Sequence, residues 1–125
     1  MMQDELIRLA KKYPNLVVLV SIPAKAAGCE AFSLAFSDRY FTFGLGERNM
    51  VSAAAGFALR GKLPVIVGRD LLNKALDQIQ KDICQPNLNV KIVNLGKEVI
   101  PDTLKLEKSS SLEVLIEGYG PGMLV

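Results

Sequence analysis

Hydrophobic and polar positions along this chain change period several times, and each change marks an element. Over 4–12, Leu6, Ile7 and Ala10 fall on one side at helical spacing, which predicts an amphipathic helix. Residues 16–20 (LVVLV) contain no polar position, the pattern of a strand covered on both faces. Pro23 ends that strand. Residues 26–36 predict a helix with Cys29, Phe32, Ala35 and Phe36 inward. A short aromatic strand over 40–43 and a Gly44-Leu45-Gly46 turn come next. Residues 47–60 then predict a helix of small residues, stopped by Gly61. Another short buried strand covers 64–67. A helix over 70–84 carries Leu72, Ala75, Leu76, Ile79 and Ile83, with Asp70 as its candidate N-cap. Strands are expected over 90–93 and 112–116. Residues 96–111, with Pro101 and three serines at 109–111, read as a loop or an irregular strand. The tail 118–125 (GYGPGMLV) is expected to dock or to be partly mobile.

Strands alternating with helices predict an α/β fold: a three-layer, doubly wound, mostly parallel sheet with helices on both faces. At 125 residues the chain fits one domain, and with 50% hydrophobic residues it can build a core without disulfides. The formal net charge is +2 with both signs interspersed, which argues for neither nucleic acid nor an anionic membrane as partner. The opening MMQDELIRLAKKY lacks the apolar core of a signal peptide. No apolar run approaches the roughly 20 residues of a membrane span, and a cytoplasmic location is expected. Cys29 and Cys84 stand far apart in no metal-ligating spacing. They read as buried apolar thiols, with a disulfide or a reactive thiol as the alternatives. No metal ligand is assigned. The chain has no histidine, which removes Ser-His-Asp and Cys-His nucleophiles, histidine metal sites and histidine proton shuttles. Any catalysis has to rest on carboxylates, a cofactor or a partner chain.

One carboxylate stands out. Gly44 and Gly46 let the backbone turn sharply and approach a ligand, and Glu47 then opens a helix, where free N–H groups and the macrodipole favour an anion. By position alone Glu47 is either a favourable first-turn acid or a functional group facing a ligand. The turn matches neither GxGxxG nor a P-loop.

The run FSDRYFTFGLGERNMVSAAAGFALRGKLPVIV at 36–67, then Asp77-Gln78-Ile79 and PNLNVKIV at 86–93, resembles the pyrimidine-binding (Pyr) domain of the transketolase family of thiamine diphosphate enzymes. The pattern is closest to the C-terminal subunit of split transketolases and to deoxyxylulose-phosphate synthases. The resemblance covers roughly residues 15–93. It implies a single Pyr domain over 1–125, shortened at its C-terminal end. It implies that Glu47 hydrogen-bonds a nitrogen of the cofactor's aminopyrimidine and activates it for ketol transfer, with Gly44, Gly46 and Leu71 also at the cofactor. The family's GDG…N motif, which holds the diphosphate and magnesium, does not occur here. The resemblance therefore implies that a partner domain binds them, in a homo-oligomer, with a separate diphosphate-binding chain, or both. The expected function is a stand-alone Pyr subunit of a split transketolase-like enzyme. The alternative is a non-catalytic Pyr module acting in assembly or regulation. It draws on departures from the family: Gly68, Leu71 and Lys74 fall where the family lines the pyrimidine site with aromatics. The small residues Ser52 to Gly56 make a thin helix, suited either to tight packing on the chain's own sheet or to close approach of a second chain.

Overall fold

The computed structural model describes residues 2–95 and 113–116. Its strands are β1 (Leu16–Val20), β2 (Tyr40–Thr42), β3 (Leu63–Arg69), β4 (Lys91–Leu95) and β5 (Glu113–Ile116). They form one sheet in the order β2-β1-β3-β4-β5, and every pairing is parallel. Val18 lies opposite both Tyr40 and Val65, and Ile66 opposite Ile92. Successive side chains leave a strand on opposite faces. Val17, Leu19, Ile66 and Ile92 therefore enter one core, while Val18, Val20, Val67 and Val93 enter the other.

The first core is covered by α4 (Glu47–Leu59), α5 (Leu71–Lys74), α6 (Leu76–Ile79) and a π-helical turn over Gln80–Cys84. The second is covered by α1 (Met2–Lys12), α2 (Ala24–Ala27) and α3 (Glu30–Ala35). This is the three-layer, doubly wound α/β fold that the alternating pattern predicts. The expected loop over 96–111 and the tail 118–125 lie outside the described residues. Among the described residues, no helix is long and apolar enough to cross a membrane.

Helix α4 ends as its sequence suggests. Gly61 takes a left-handed φ of 84°, its N–H donates to Ala58 O at 3.1 Å, and Lys62 N–H donates to Phe57 O at 3.0 Å. The pair forms a Schellman closure. Two predicted helices are interrupted. The helix expected over 26–36 divides into α2 and α3 because Gly28 turns left-handed with φ 69°, letting Cys29 N–H reach back to Ala24 O at 2.8 Å. Ala35, expected inward, is exposed. The helix expected over 70–84 divides at Ala75, which has φ −132°, and finishes in the π turn. Asp70 does not cap it with its side chain. It adopts φ 61°, and its backbone carbonyl accepts from Asn73 N–H at 3.3 Å and Lys74 N–H at 3.0 Å.

Neither cysteine is in a disulfide and both are buried, on opposite faces of the sheet. Burial pushes the Cys29 thiol up to about 11. Arg39 secures the C-terminal end of α1. Its guanidinium donates to Ala10 O at 3.1 Å, Tyr13 O at 2.9 Å and Leu16 O at 2.8 Å, and stacks over the Phe36 ring at 4.8 Å.

Candidate functional site

Parallel strands bring every strand-to-helix loop to one edge of the sheet. The loop after β2 and the loop after β3 therefore meet there. Gly44 takes φ 56°, a conformation that favours glycine. Gly46 is the N-cap of α4; a Cβ on it would stand 3.1 Å from Phe43 O. Its own N–H donates to Phe43 O at 2.9 Å, and its carbonyl receives the first helical bond from Met50 N–H at 2.9 Å. Glu47 is the first residue of α4. It lies in the first turn, whose N–H groups have no partner inside the helix and where the dipole favours negative charge.

A concavity of about 440 Å³ opens at this point, lined by Leu45, Gly46, Glu47, Arg48, Asn49 and Lys74. Five of these six come from one continuous stretch; Lys74 reaches in from α5. Its Nζ lies 3.6 Å from Glu47 Oε2, with the Glu47 side chain 13% exposed and that of Lys74 47% exposed. The separation exceeds the roughly 2.7–2.9 Å of a charge-assisted hydrogen bond. With one partner half in water, such a pair contributes about 0–1 kcal/mol to stability. Leu45, at the rim, is 93% exposed.

The residues singled out from the sequence divide here. Gly46 and Glu47 line the concavity, and Gly44 shapes the turn that leads to it. Leu71 is fully buried in the core beneath, and its N–H donates to Asn94 Oδ1 at 2.8 Å. Sequence reasoning located Lys74 near the site but not its contact with Glu47. The small residues of α4 also divide: Ala54 and Ala55 are buried, Ser52 and Gly56 are exposed. Ser52 is tied to the α6 side, its hydroxyl donating to Asp82 Oδ2 at 3.1 Å and accepting from Gln78 Nε2 at 2.9 Å.

The family model for the transketolase pyrimidine-binding domain matches residues 1–96. The chain belongs to this family. Curated relatives include the 1-deoxy-D-xylulose-5-phosphate synthases of Syntrophus aciditrophicus, 37% identical over 88 residues, and Mycolicibacterium vanbaalenii, 32% identical over 123 residues. Those matches cover 70% and 98% of this chain but only 14% and 19% of the relatives' length. A solved structure described as "Split gene transketolase, inactive beta4 tetramer" matches with a TM-score of 0.65 and 32% identity, over 74% of this chain and 32% of that one. The family uses thiamine diphosphate. A carboxylate at a helix N-terminus, opening on a concavity, fits the hydrogen-bonding needs of an aminopyrimidine. The described residues include no cluster of three or more His, Cys, Asp or Glu that could hold a metal ion. Among the described residues, the fit is to the pyrimidine half of the cofactor.

Proposed function

We propose that this chain is a single Pyr-domain subunit of a thiamine diphosphate-dependent, transketolase-like enzyme, completed by a second chain that holds the diphosphate and magnesium. The observation that carries this reading is the placement of Glu47, the first residue of α4, at the wall of the one-sided concavity. In this reading Glu47 gives or shares a proton with a ring nitrogen through a carboxyl oxygen, and Gly44 and Gly46 keep the backbone close. Leu71 acts from beneath by holding α5 in place. When bound, the cofactor supplies carbanion chemistry for ketol transfer; the chain's part is orientation and proton affinity at Glu47. The "inactive beta4 tetramer" relative supports a further expectation: that this chain associates with its own copies and gains activity only with a different partner.

The test is reconstitution with a diphosphate-binding chain, following thiamine diphosphate and magnesium binding and ketol transfer. Glu47→Gln is expected to lower turnover by about 10²-fold or more, the usual scale of a proton-transfer contribution, with the fold unchanged. Equal turnover of Glu47→Gln and the parent would remove Glu47 from the mechanism. Two observations favour a second reading, a non-catalytic assembly or regulatory module: Glu47 already has Lys74 for a counter-ion, and among the described residues no aromatic ring lines the concavity. If no partner chain restores cofactor binding, this second reading stands.

A further inference from the structure

Glu47 shows little of its carboxylate to solvent, at 13% exposure, and Lys74 Nζ stands 3.6 Å from the Oε2 oxygen. Lys74 also lines the concavity into which that carboxylate opens. Among the described residues no other cation comes within ion-pair distance of Glu47. Arg48, next in sequence, lines the same concavity without pairing to it. The ammonium is not locked. Its separation is too long for a charge-assisted hydrogen bond, its side chain is 47% exposed, and it is carried on α5, a helix of four residues.

We infer that Lys74 is a charge gate on Glu47: its ammonium occupies the approach that an aminopyrimidine ring needs, so the ring binds in competition with it. The inference rests on the reading of Glu47 as the ring-facing carboxylate and adds a regulatory contact at that site. A ring that offers N–H groups to the carboxylate gains less while a neighbouring positive charge already pairs with it. A ring that becomes protonated meets that charge directly. Anything that draws Lys74 aside, such as an acidic group on a docked partner, opens the site without moving the backbone.

The experiment uses the full 125-residue chain and the hydroxymethyl aminopyrimidine that forms the ring half of thiamine. This probe needs no diphosphate contacts and therefore no partner. Its affinity is measured by titration calorimetry or ligand-observed NMR for the parent, Lys74→Met, Lys74→Arg, Glu47→Gln and the Glu47→Gln/Lys74→Met double variant. Methionine keeps most of the unbranched stem without its charge; arginine keeps the charge. Lys74→Met is expected to bind the probe about two- to fivefold more tightly at low salt, the scale of a half-exposed ion pair. Lys74→Arg should stay at the parent value. The gain should shrink in high sodium chloride and vanish when Glu47→Gln is added. Equal or weaker binding by Lys74→Met overturns the gate, as does a gain shared by Lys74→Arg or a gain that survives Glu47→Gln. Failure of every variant to bind also overturns it, because removing the ammonium would then have opened nothing. The proposed function is judged separately, by ketol transfer in the reconstituted complex, and an ungated site would leave that outcome untouched.

Discussion

Replacing Gly68 with alanine would place a methyl group where the structure has no room. A Cβ at this position would stand 2.6 Å from Ser21 Oγ and 2.8 Å from Leu71 Cγ, about 1 Å inside ordinary carbon contact of ~3.5–4.0 Å. Ser21 and Leu71 are both buried, so neither can swing into solvent. The φ of Gly68 is not in the left-handed region, so the backbone itself accepts alanine and the objection is steric alone. Overpacking of this kind costs about 1–3 kcal/mol. Alanine also removes freedom from the unfolded chain, which offsets ~0.4–1 kcal/mol. The net expectation, taken at the middle of those two ranges, is a loss of about 1.3 kcal/mol.

Gly56 gives the opposite expectation from the same substitution. It sits inside α4, and a Cβ there would meet nothing within 4 Å. Gly56→Ala should therefore add about 0.5–1 kcal/mol, the usual cost of a mid-helix glycine. Urea unfolding followed by circular dichroism, with unchanged slope, reads both changes. Ser21→Ala provides an internal control. Its hydroxyl is buried with no hydrogen-bond partner among the described residues, so its loss alone should be near neutral. In combination it should recover part of the Gly68→Ala loss, with a coupling of about 0.5–1 kcal/mol. The reasoning is refuted if Gly68→Ala is neutral or stabilising, or if Gly56→Ala costs as much as Gly68→Ala.

Two further outcomes follow from the packing. Arg39→Ala leaves the carbonyls of Ala10, Tyr13 and Leu16 without their charged donor and should cost about 2–4 kcal/mol. Arg39→Lys should recover less than half of that, because a point charge cannot span three acceptors; a lysine variant as stable as the parent would contradict the fork geometry. Stability should also fall in alkali. Below pH 9 the Cys29 thiol keeps its proton in both states; above it the unfolded chain releases the proton while the buried thiol, pushed up to about 11, retains it. The folded state is therefore progressively disfavoured between those values, by at most about 2–3 kcal/mol. Tyr40, pushed up to about 12 by burial, adds to the decline at higher pH. Cys29→Ala should flatten the urea-midpoint curve between pH 9 and 11, and an unchanged slope would show that Cys29 does not contribute.

The parts of this fold that local pattern could announce were announced. LVVLV has no polar position and becomes a strand between two others. Gly61 follows a run of helix formers and closes it. The interruptions at Gly28 and Ala75 were not visible. A lone glycine is tolerated within a helical pattern, and alanine is the best helix former, so nothing local marks either break. Near the second break, the Leu71 N–H is taken by Asn94 Oδ1 on β4, a demand that only the folded sheet creates. The candidate site divides in the same way. Glu47 was legible because a turn, an acid and a helix follow one another in sequence. The Lys74 contact was not, because it joins two helices, α4 and α5, that only parallel pairing of the strands before them brings to one edge. Arg39 belongs to the stretch that carries the family resemblance, yet the bonds it makes hold α1 against β1 and reach no site residue.

The position of the concavity within the fold bears on the proposed second chain. In a sheet ordered β2-β1-β3-β4-β5, the winding reverses between β1 and β3, and a ligand crevice is expected outside their C-terminal ends. Here those ends are drawn together. Ser21 N–H donates to Val67 O at 3.2 Å, and Ser21 Oγ and Leu71 both lie within 3 Å of where a Gly68 Cβ would stand. The chain fills that crevice with its own atoms, and the opening moves outward to the loop between β2, an edge strand, and α4. Among the described residues it is built from Leu45 to Asn49 with Lys74 beside them, and Leu45 projects from it almost fully exposed. Such a wall can orient one end of a ligand, but a site that encloses a cofactor buries about 70–90% of it. In the proposed function, a second chain supplies the facing surface that excludes water from Glu47 and covers Leu45.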